Sequence, residues 1–252
     1  MKNGSTRIIR GIQMNSQISI MTFVFIFLGL LPSFAWLIFF LKEDVHPEPK
    51  RMIAKVFFAG VLITFFATAF QLLFSDVFKS FNIEESAPVS FLAFAFIEET
   101  FKFLAAYLVV RKSRFFDEPV DAMIYMIVAS LGFAMAENMM MAFNILNFVE
   151  VFKIIIIRFV GATLLHALSS AVVGYYWAKH IIAKNASQRT TSAVIVKGIL
   201  LASLLHAIFN YLIIISEEQM SKMLIYPIIF LIIIALFIFW DFEKIKGSAQ
   251  KS

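Results

Sequence analysis

Phe91-Leu92-Ala93-Phe94-Ala95-Phe96-Ile97-Glu98-Glu99-Thr100-Phe101-Lys102-Phe103-Leu104-Ala105-Ala106 places two adjacent carboxylates and an ammonium inside a run otherwise apolar enough to cross a bilayer. A charged group at the middle of a membrane helix costs roughly 2.5–3.5 kcal/mol on insertion scales. Three such groups, each standing alone, would oppose insertion by about 10 kcal/mol. They therefore need partners. Either Lys102 neutralises one glutamate and the group locks helices together, or the group belongs to a site. Polar residues at matching depth in other spans favour a site.

The surrounding chain is that of a polytopic membrane protein. Of 252 residues, 61% are hydrophobic and the mean hydropathy is +0.86, whereas a soluble domain is nearer half apolar. Seven apolar spans are predicted, at about 18–41, 54–74, 88–110, 122–146, 152–178, 194–215 and 222–240. Most are near the ~20 residues needed to cross. Lipid leaves no partner for open backbone groups, so the expected fold is an all-α bundle of about seven membrane-spanning helices, with spans three to six as its core. The scarcity of Gly (9) and Pro (6) predicts uninterrupted helices. Cysteine is absent, which excludes disulfides, thiolate metal sites and thiol nucleophiles. A net charge of +5 gives no case for nucleic acid. The partners expected are the bilayer and a single-span membrane protein.

The division reads as a polar tail over 1–17, one transmembrane domain over 18–240 and a tail over 241–252. Positive charge alternates along the connections. Residues 42–55, 111–121 and 179–197 and the C-terminal tail are rich in Lys and Arg, whereas 75–87, 147–153 and 216–222 carry one lysine each. The positive-inside rule then predicts a multi-pass cell-membrane protein with a cytoplasmic C-terminus and an extracytoplasmic N-terminus. Lys2, Arg7 and Arg10 oppose the latter, unless the tail crosses regardless, lies on the surface, or translation starts at Met14 or Met21.

Four spans carry ionisable residues in their middles: Glu98, Glu99 and Lys102 in the third, Glu137 with Asn138 in the fourth, His166 in the fifth, and His206 with Asn210 in the sixth. At 1.5 Å per residue all fall between the midplane and the outer half, where antiparallel neighbours can bring them together. Lys102 reaches either glutamate at helical spacing. Glu98 and Glu99 diverge by about 100°, so only one is expected to face a given point. Phe133 and Glu137 share a face, as do His206 and Asn210. Singly, each has a structural reading. Glu137-Asn138 could clamp two helices, each histidine could be a bonded core residue, Ser169 and Ser170 could bond back to helix carbonyls, and Arg158 could snorkel outward. Jointly those readings need four unrelated coincidences of depth.

Three carboxylates against one ammonium leave an excess of two negative charges, so a carboxyl or imidazole is expected to hold a proton. A glutamate can then take a proton from water while His and Asn donate to a developing oxyanion. The expectation is hydrolysis without cofactor. The alternative is zinc on Glu98, Glu137, His166 and His206, although no HExxH pair appears.

Glu98-Glu99-Thr100-Phe101-Lys102 resembles the EExxK motif of PrsW-type intramembrane proteases. Phe133-Ala134-Met135-Ala136-Glu137-Asn138 is similar to their FxxxEN motif, and His166 and His206-Ala207-Ile208-Phe209-Asn210 resemble the two later histidine motifs. Asp44-Val45-His46-Pro47-Glu48-Pro49 and Asp117-Glu118-Pro119-Val120-Asp121 are further family-like segments. The likeness runs from about residue 30 to residue 215. It implies a superfamily shared with CAAX-processing type II endopeptidases, a glutamic-type endopeptidase with Glu98 or Glu99 activating water, and His166, His206 and Asn210 binding the water or oxyanion. Lys102, Phe133 and Asn138 support them. Glu137 stands where the CAAX enzymes have histidine, which leaves its role open between second base, proton store and orienting group. The resemblance also implies cleavage of an anti-sigma-factor-like, single-span substrate near the outer leaflet, a site-1 cut. The superfamily contains the non-catalytic APH scaffold of gamma-secretase, so a scaffold or transporter is the reading from another class. Discontinuous helices at the site would favour it.

Overall fold

A computed structural model of the chain describes residues 3–44, 46–145, 147–185, 191–218 and 225–249. Lys222, Arg189 and the end of the C-terminal tail, all counted in the charge pattern, lie outside them. The described residues form an all-helical, polytopic bundle: α1 (Asn3–Phe40), α2 (Lys50–Ser80), α3 (Pro88–Val110), α4 (Asp121–Phe143), α5 (Phe148–Val160), α6 (Ala162–Asn185), α7 (Ala193–Glu218) and α8 (Ile225–Ala249). A 3-10 turn, Leu41–Glu43, follows α1. α1 and α8 run without interruption past residues 17 and 240. Among the described residues, five stretches have the length and apolarity to cross a membrane: Thr22–Glu43, Lys50–Ser80, Asp121–Phe143, Ala193–Ser216 and Ile225–Gly247.

α4 is the axis of the bundle. It packs on α6, α2, α1 and α3, and Ala122 to Ala136 are all buried. An element apolar around its whole circumference has no solvent face to offer, and burial on every side is what that composition requires. Small residues let its neighbours approach closely. A Cβ on Gly132 would lie 2.0 Å from the Phe57 carbonyl oxygen, and one on Gly60 would lie 2.0 Å from that of Ala129. The two helices thus meet backbone to backbone at both points. Gly132→Ala is expected to cost about 1–3 kcal/mol or more, read as a lowered midpoint in thermal unfolding of the detergent-solubilised protein. An unchanged midpoint would show that α2 and α4 do not meet this closely.

The expectation of uninterrupted helices fails at one place. The predicted span 152–178 is divided at Gly161, whose φ of −90° and ψ of −97° end α5. α5 has 13 residues, or ~20 Å at 1.5 Å per residue, too short to cross. Breaking a helix within lipid leaves carbonyls without partners. Here the Trp36 indole N–H donates to the Phe159 carbonyl at 2.7 Å, so α1 satisfies the break. A lone glycine is a weak signal in sequence, and the compensating indole lies 123 residues away. The break beside the site also removes helix continuity as an argument against a transporter.

The two acidic loop segments have a structural task at the opposite end of α4. Asp44 accepts backbone N–H bonds from His46 and Glu48, each at 3.1 Å. Asp121 accepts them from Asp117 at 3.0 Å and Glu118 at 2.8 Å. The Tyr125 hydroxyl donates to Glu48 at 2.5 Å, tying the first loop to α4. Burial pushes the Asp44 and Glu48 carboxyls above the usual range, because removing water penalises the charged form.

Candidate active site

α3 carries Glu98, Glu99 and Lys102 into the bundle where α4, α6 and α7 converge. Lys102 is fully buried, with its ammonium 2.8 Å from Glu99 Oε1, 3.5 Å from Glu98 Oε2 and 2.7 Å from His166 Nδ1. It also sits 4.7 Å above the Phe133 ring.

The two glutamates live differently. Glu99 is buried completely and is bonded by four side chains. Lys102 and Ser169 donate to Oε1, the latter at 2.9 Å, and Ser170 donates to Oε2 at 3.1 Å. His206 Nδ1 lies 2.9 Å from Oε1. Glu98 accepts from Gln71 Nε2 of α2 at 2.9 Å through Oε1, while its buried Oε2 makes no hydrogen bond among the described residues. That oxygen faces His206 Nε2 at 3.7 Å and His166 Nδ1 at 3.9 Å.

Adjacent glutamates were expected to face different points. They meet opposite edges of one ring: His206 presents Nδ1 to Glu99 and Nε2 to Glu98. His166 is oriented likewise, with Nε2 2.8 Å from Glu137 Oε2. The rings stand edge to face, 4.9 Å apart. Each imidazole thus has one nitrogen against a carboxylate, which fixes the proton there in the neutral tautomer. The other nitrogens, His206 Nε2 and His166 Nδ1, turn toward Glu98 Oε2.

Over residues 48–239 the chain matches the family model described as PrsW family intramembrane metalloprotease. The chain belongs to the PrsW family. It is 31% identical over 191 residues to Protease PrsW of Geobacillus kaustophilus (strain HTA426), covering 75% of this chain and 80% of that protein. It is 28% identical over 235 residues to Protease PrsW of Bacillus subtilis (strain 168), covering 91% of this chain and 97% of that protein. No solved structure matches. The PrsW membership makes this chain an intramembrane peptidase by kind, in a multi-pass membrane protein.

Of the residues singled out from sequence in this PrsW-family chain, Glu98, Glu99, Lys102, Phe133, Glu137, His166 and His206 are brought together. Asn138 lies at the border, donating to Thr163 Oγ1 at 3.1 Å. Asn210, one turn beyond His206, is half-buried and hydrogen-bonds to none of these groups among the described residues.

Four residues join unannounced. Ser169 and Ser170 bond Glu99 in addition to the local bond of Ser169 to His166 O. Gln71 comes from α2, outside the four spans that carried charge. Arg158, read as snorkelling outward, instead reaches in from α5. Its Nη2 donates to Glu137 Oε2 at 3.1 Å and its Nε to Asn138 Oδ1 at 2.5 Å. Three carboxylates thus face two fixed cations, and the expected excess of negative charge is halved. Depth counted along an unbroken 152–178 helix placed Arg158 elsewhere; the break at Gly161 turns it inward. Arg158→Gln is expected to destabilise the protein by about 1.5–3 kcal/mol, the usual worth of hydrogen bonds to charged groups. Thermal unfolding measures it, and no change would mean that Arg158 and Glu137 do not pair.

Glu137 and Arg158 are more accessible than Glu98 and Lys102. Their side chains are 23% and 16% exposed, against 9% for Glu98 and none for Lys102. Water reaches the cluster most readily from this side.

Proposed function

We propose that the protein is an intramembrane endopeptidase in which Glu98 activates water against a peptide bond of a single-span membrane protein. The observation that carries this reading is the buried, unbonded Glu98 Oε2 facing His206 Nε2 and His166 Nδ1. Separations of 3.7 and 3.9 Å are too long for direct hydrogen bonds, and a parting of these groups by about 1 Å admits a water that bridges them. Glu98 takes the water proton as the water oxygen attacks the scissile carbonyl. His206 lies between two carboxylates, and with a proton on Nε2 it gives that N–H to the oxyanion. The proton on Glu98 then passes to the leaving amine. Lys102, Glu99, Ser169 and Ser170 hold Glu98 and His206 in place, and Glu137 with Arg158 orients His166.

A second reading has its own support. Glu98 Oε2 and one nitrogen from each histidine lie within 4.8 Å of one another. Each imidazole is backed by a carboxylate through its other nitrogen, the usual arrangement behind a metal-bound histidine. The donor set fits zinc, held by Glu98, His166 and His206, with Lys102 giving up its contact to His166 Nδ1. Zinc there would supply Lewis acidity to a bound water.

For the substrate, the resemblance implies an anti-sigma-factor-like single-span protein, and the position of the site supports a cut near the outer leaflet. His166 is four residues into α6 and Glu137 six from the end of α4, at the end of the bundle whose connections carry few Lys and Arg. The test is purified protein in bilayers with a panel of single-span substrates, metal analysis and chelator. Cleavage by metal-free, chelator-treated enzyme supports the glutamate reading. Loss of cleavage restored by zinc supports the metal reading. Absence of cleavage with every substrate in both conditions, with the protein folded, counts against a peptidase.

A further inference from the structure

At the end of the bundle away from the catalytic cluster, α3, α6 and α7 enclose a cavity of about 420 Å³ that opens to the outside. Its floor is aromatic. Trp177 packs against Phe116 at 4.8 Å, Phe103 at 5.4 Å and Tyr107 at 5.8 Å. Its rim is basic: Arg111 from the end of α3 and His180 and Lys184 from the end of α6 line it, with Ser192 beside α7, and no Asp or Glu is among the described lining residues. The Arg111 guanidinium is held over the Tyr107 ring at 5.5 Å, and Arg111 and Lys184 form no ion pair among the described residues. Two unpaired cations around one cavity repel each other, which is a cost unless an anion joins them.

The cavity continues onto lipid-facing surface. Val196, which lines it, begins an exposed aliphatic row with Leu200 and Leu204, which are 50%, 54% and 47% exposed. Residues four apart stack along one helix face, so the row runs ~12 Å down α7 from the mouth of the cavity. A cavity with cationic rim and aromatic floor, opening onto an apolar track, matches a molecule with an anionic head and an aliphatic tail. Basic pockets between membrane helices bind anionic lipid headgroups in this manner.

We infer that this cavity is a binding site for an anionic phospholipid. The phosphate is received by Arg111 and Lys184, the glycerol lies over Trp177 and Tyr107, and an acyl chain follows Val196, Leu200 and Leu204. The site is independent of the catalytic reading, since none of its residues belongs to that cluster.

The test is native mass spectrometry of the full-length protein, delipidated in detergent and titrated with phosphatidylglycerol, phosphatidylcholine or inorganic phosphate. A one-to-one phosphatidylglycerol adduct is expected, with phosphatidylcholine far weaker. Arg111→Gln with Lys184→Gln should weaken it about 30-fold, from roughly a fivefold loss per cation. Arg111→Lys with Lys184→Arg should retain it, and Val196→Trp should block it with both charges in place. Thermal unfolding without lipid confirms that each variant is folded. Equal binding of the two lipids, undiminished binding by the double glutamine variant, or displacement of the lipid by an equal concentration of inorganic phosphate would overturn the assignment.

Discussion

Glu98→Gln is expected to lower cleavage of a single-span substrate about 100- to 10,000-fold, the usual contribution of a general base, with a smaller loss of thermal stability than Glu99→Gln, since the ion pair it gives up with Lys102 spans 3.5 Å. Glutamine keeps the Gln71 contact within reach and removes the basic oxygen, and Oε2 has no hydrogen bond to lose. Glu99→Gln should separate from it. Glu99 receives Lys102, Ser169, Ser170 and His206, so a neutral amide leaves the buried ammonium with Glu98 alone, at 3.5 Å. Removing one partner of a buried pair costs about 3–5 kcal/mol. Glu99→Gln therefore loses stability and activity together, whereas Glu98→Gln loses chiefly activity. Paired measurements of initial cleavage rate and unfolding midpoint distinguish them. Wild-type cleavage by Glu98→Gln would remove Glu98 as the base, whichever way Glu99→Gln behaves.

Lys102→Met is the substitution expected to damage the fold most. Methionine matches the volume of the aliphatic stem, so the loss is that of the charge. Within the bundle Glu98 and Glu99 flank that ammonium, and Arg158 pairs with Glu137 across the His166 ring. Without Lys102, Glu99 has no fixed cation, and the cost is about 3–5 kcal/mol. Denaturation of the purified protein in detergent measures it. The double variant Lys102→Met with Glu99→Gln should recover part of the loss, because the uncompensated carboxylate goes with its partner. If Lys102→Met unfolds at the wild-type midpoint, or if the double variant is fully additive, the buried pair is not what holds α3 in register.

The charged residues were the legible part of this site. A carboxylate or imidazole in the middle of an apolar span stands out against its neighbours, and its cost in lipid demands partners. Glu98, Glu99, Lys102, Glu137, His166 and His206 are visible for that reason. Gln71, Ser169 and Ser170 are not, since amides and hydroxyls are cheap enough in a helix to need no partner from elsewhere. Asn210 shares helical spacing with His206, but spacing places a residue on a face without saying that the face reaches the site.

The sequence by itself determined that the chain is an all-helical membrane bundle and which helices carry charge inward, because apolar length and the cost of buried charge are properties of each segment alone. Only the tertiary structure decided that Glu98 keeps an unbonded oxygen while Glu99 is saturated, that Gly161 breaks the helix and that Arg158 turns toward Glu137. Each of these depends on what a different helix offers at the same point: Gln71, a pair of serines, or the indole of Trp36. No segment carries that information about its neighbours.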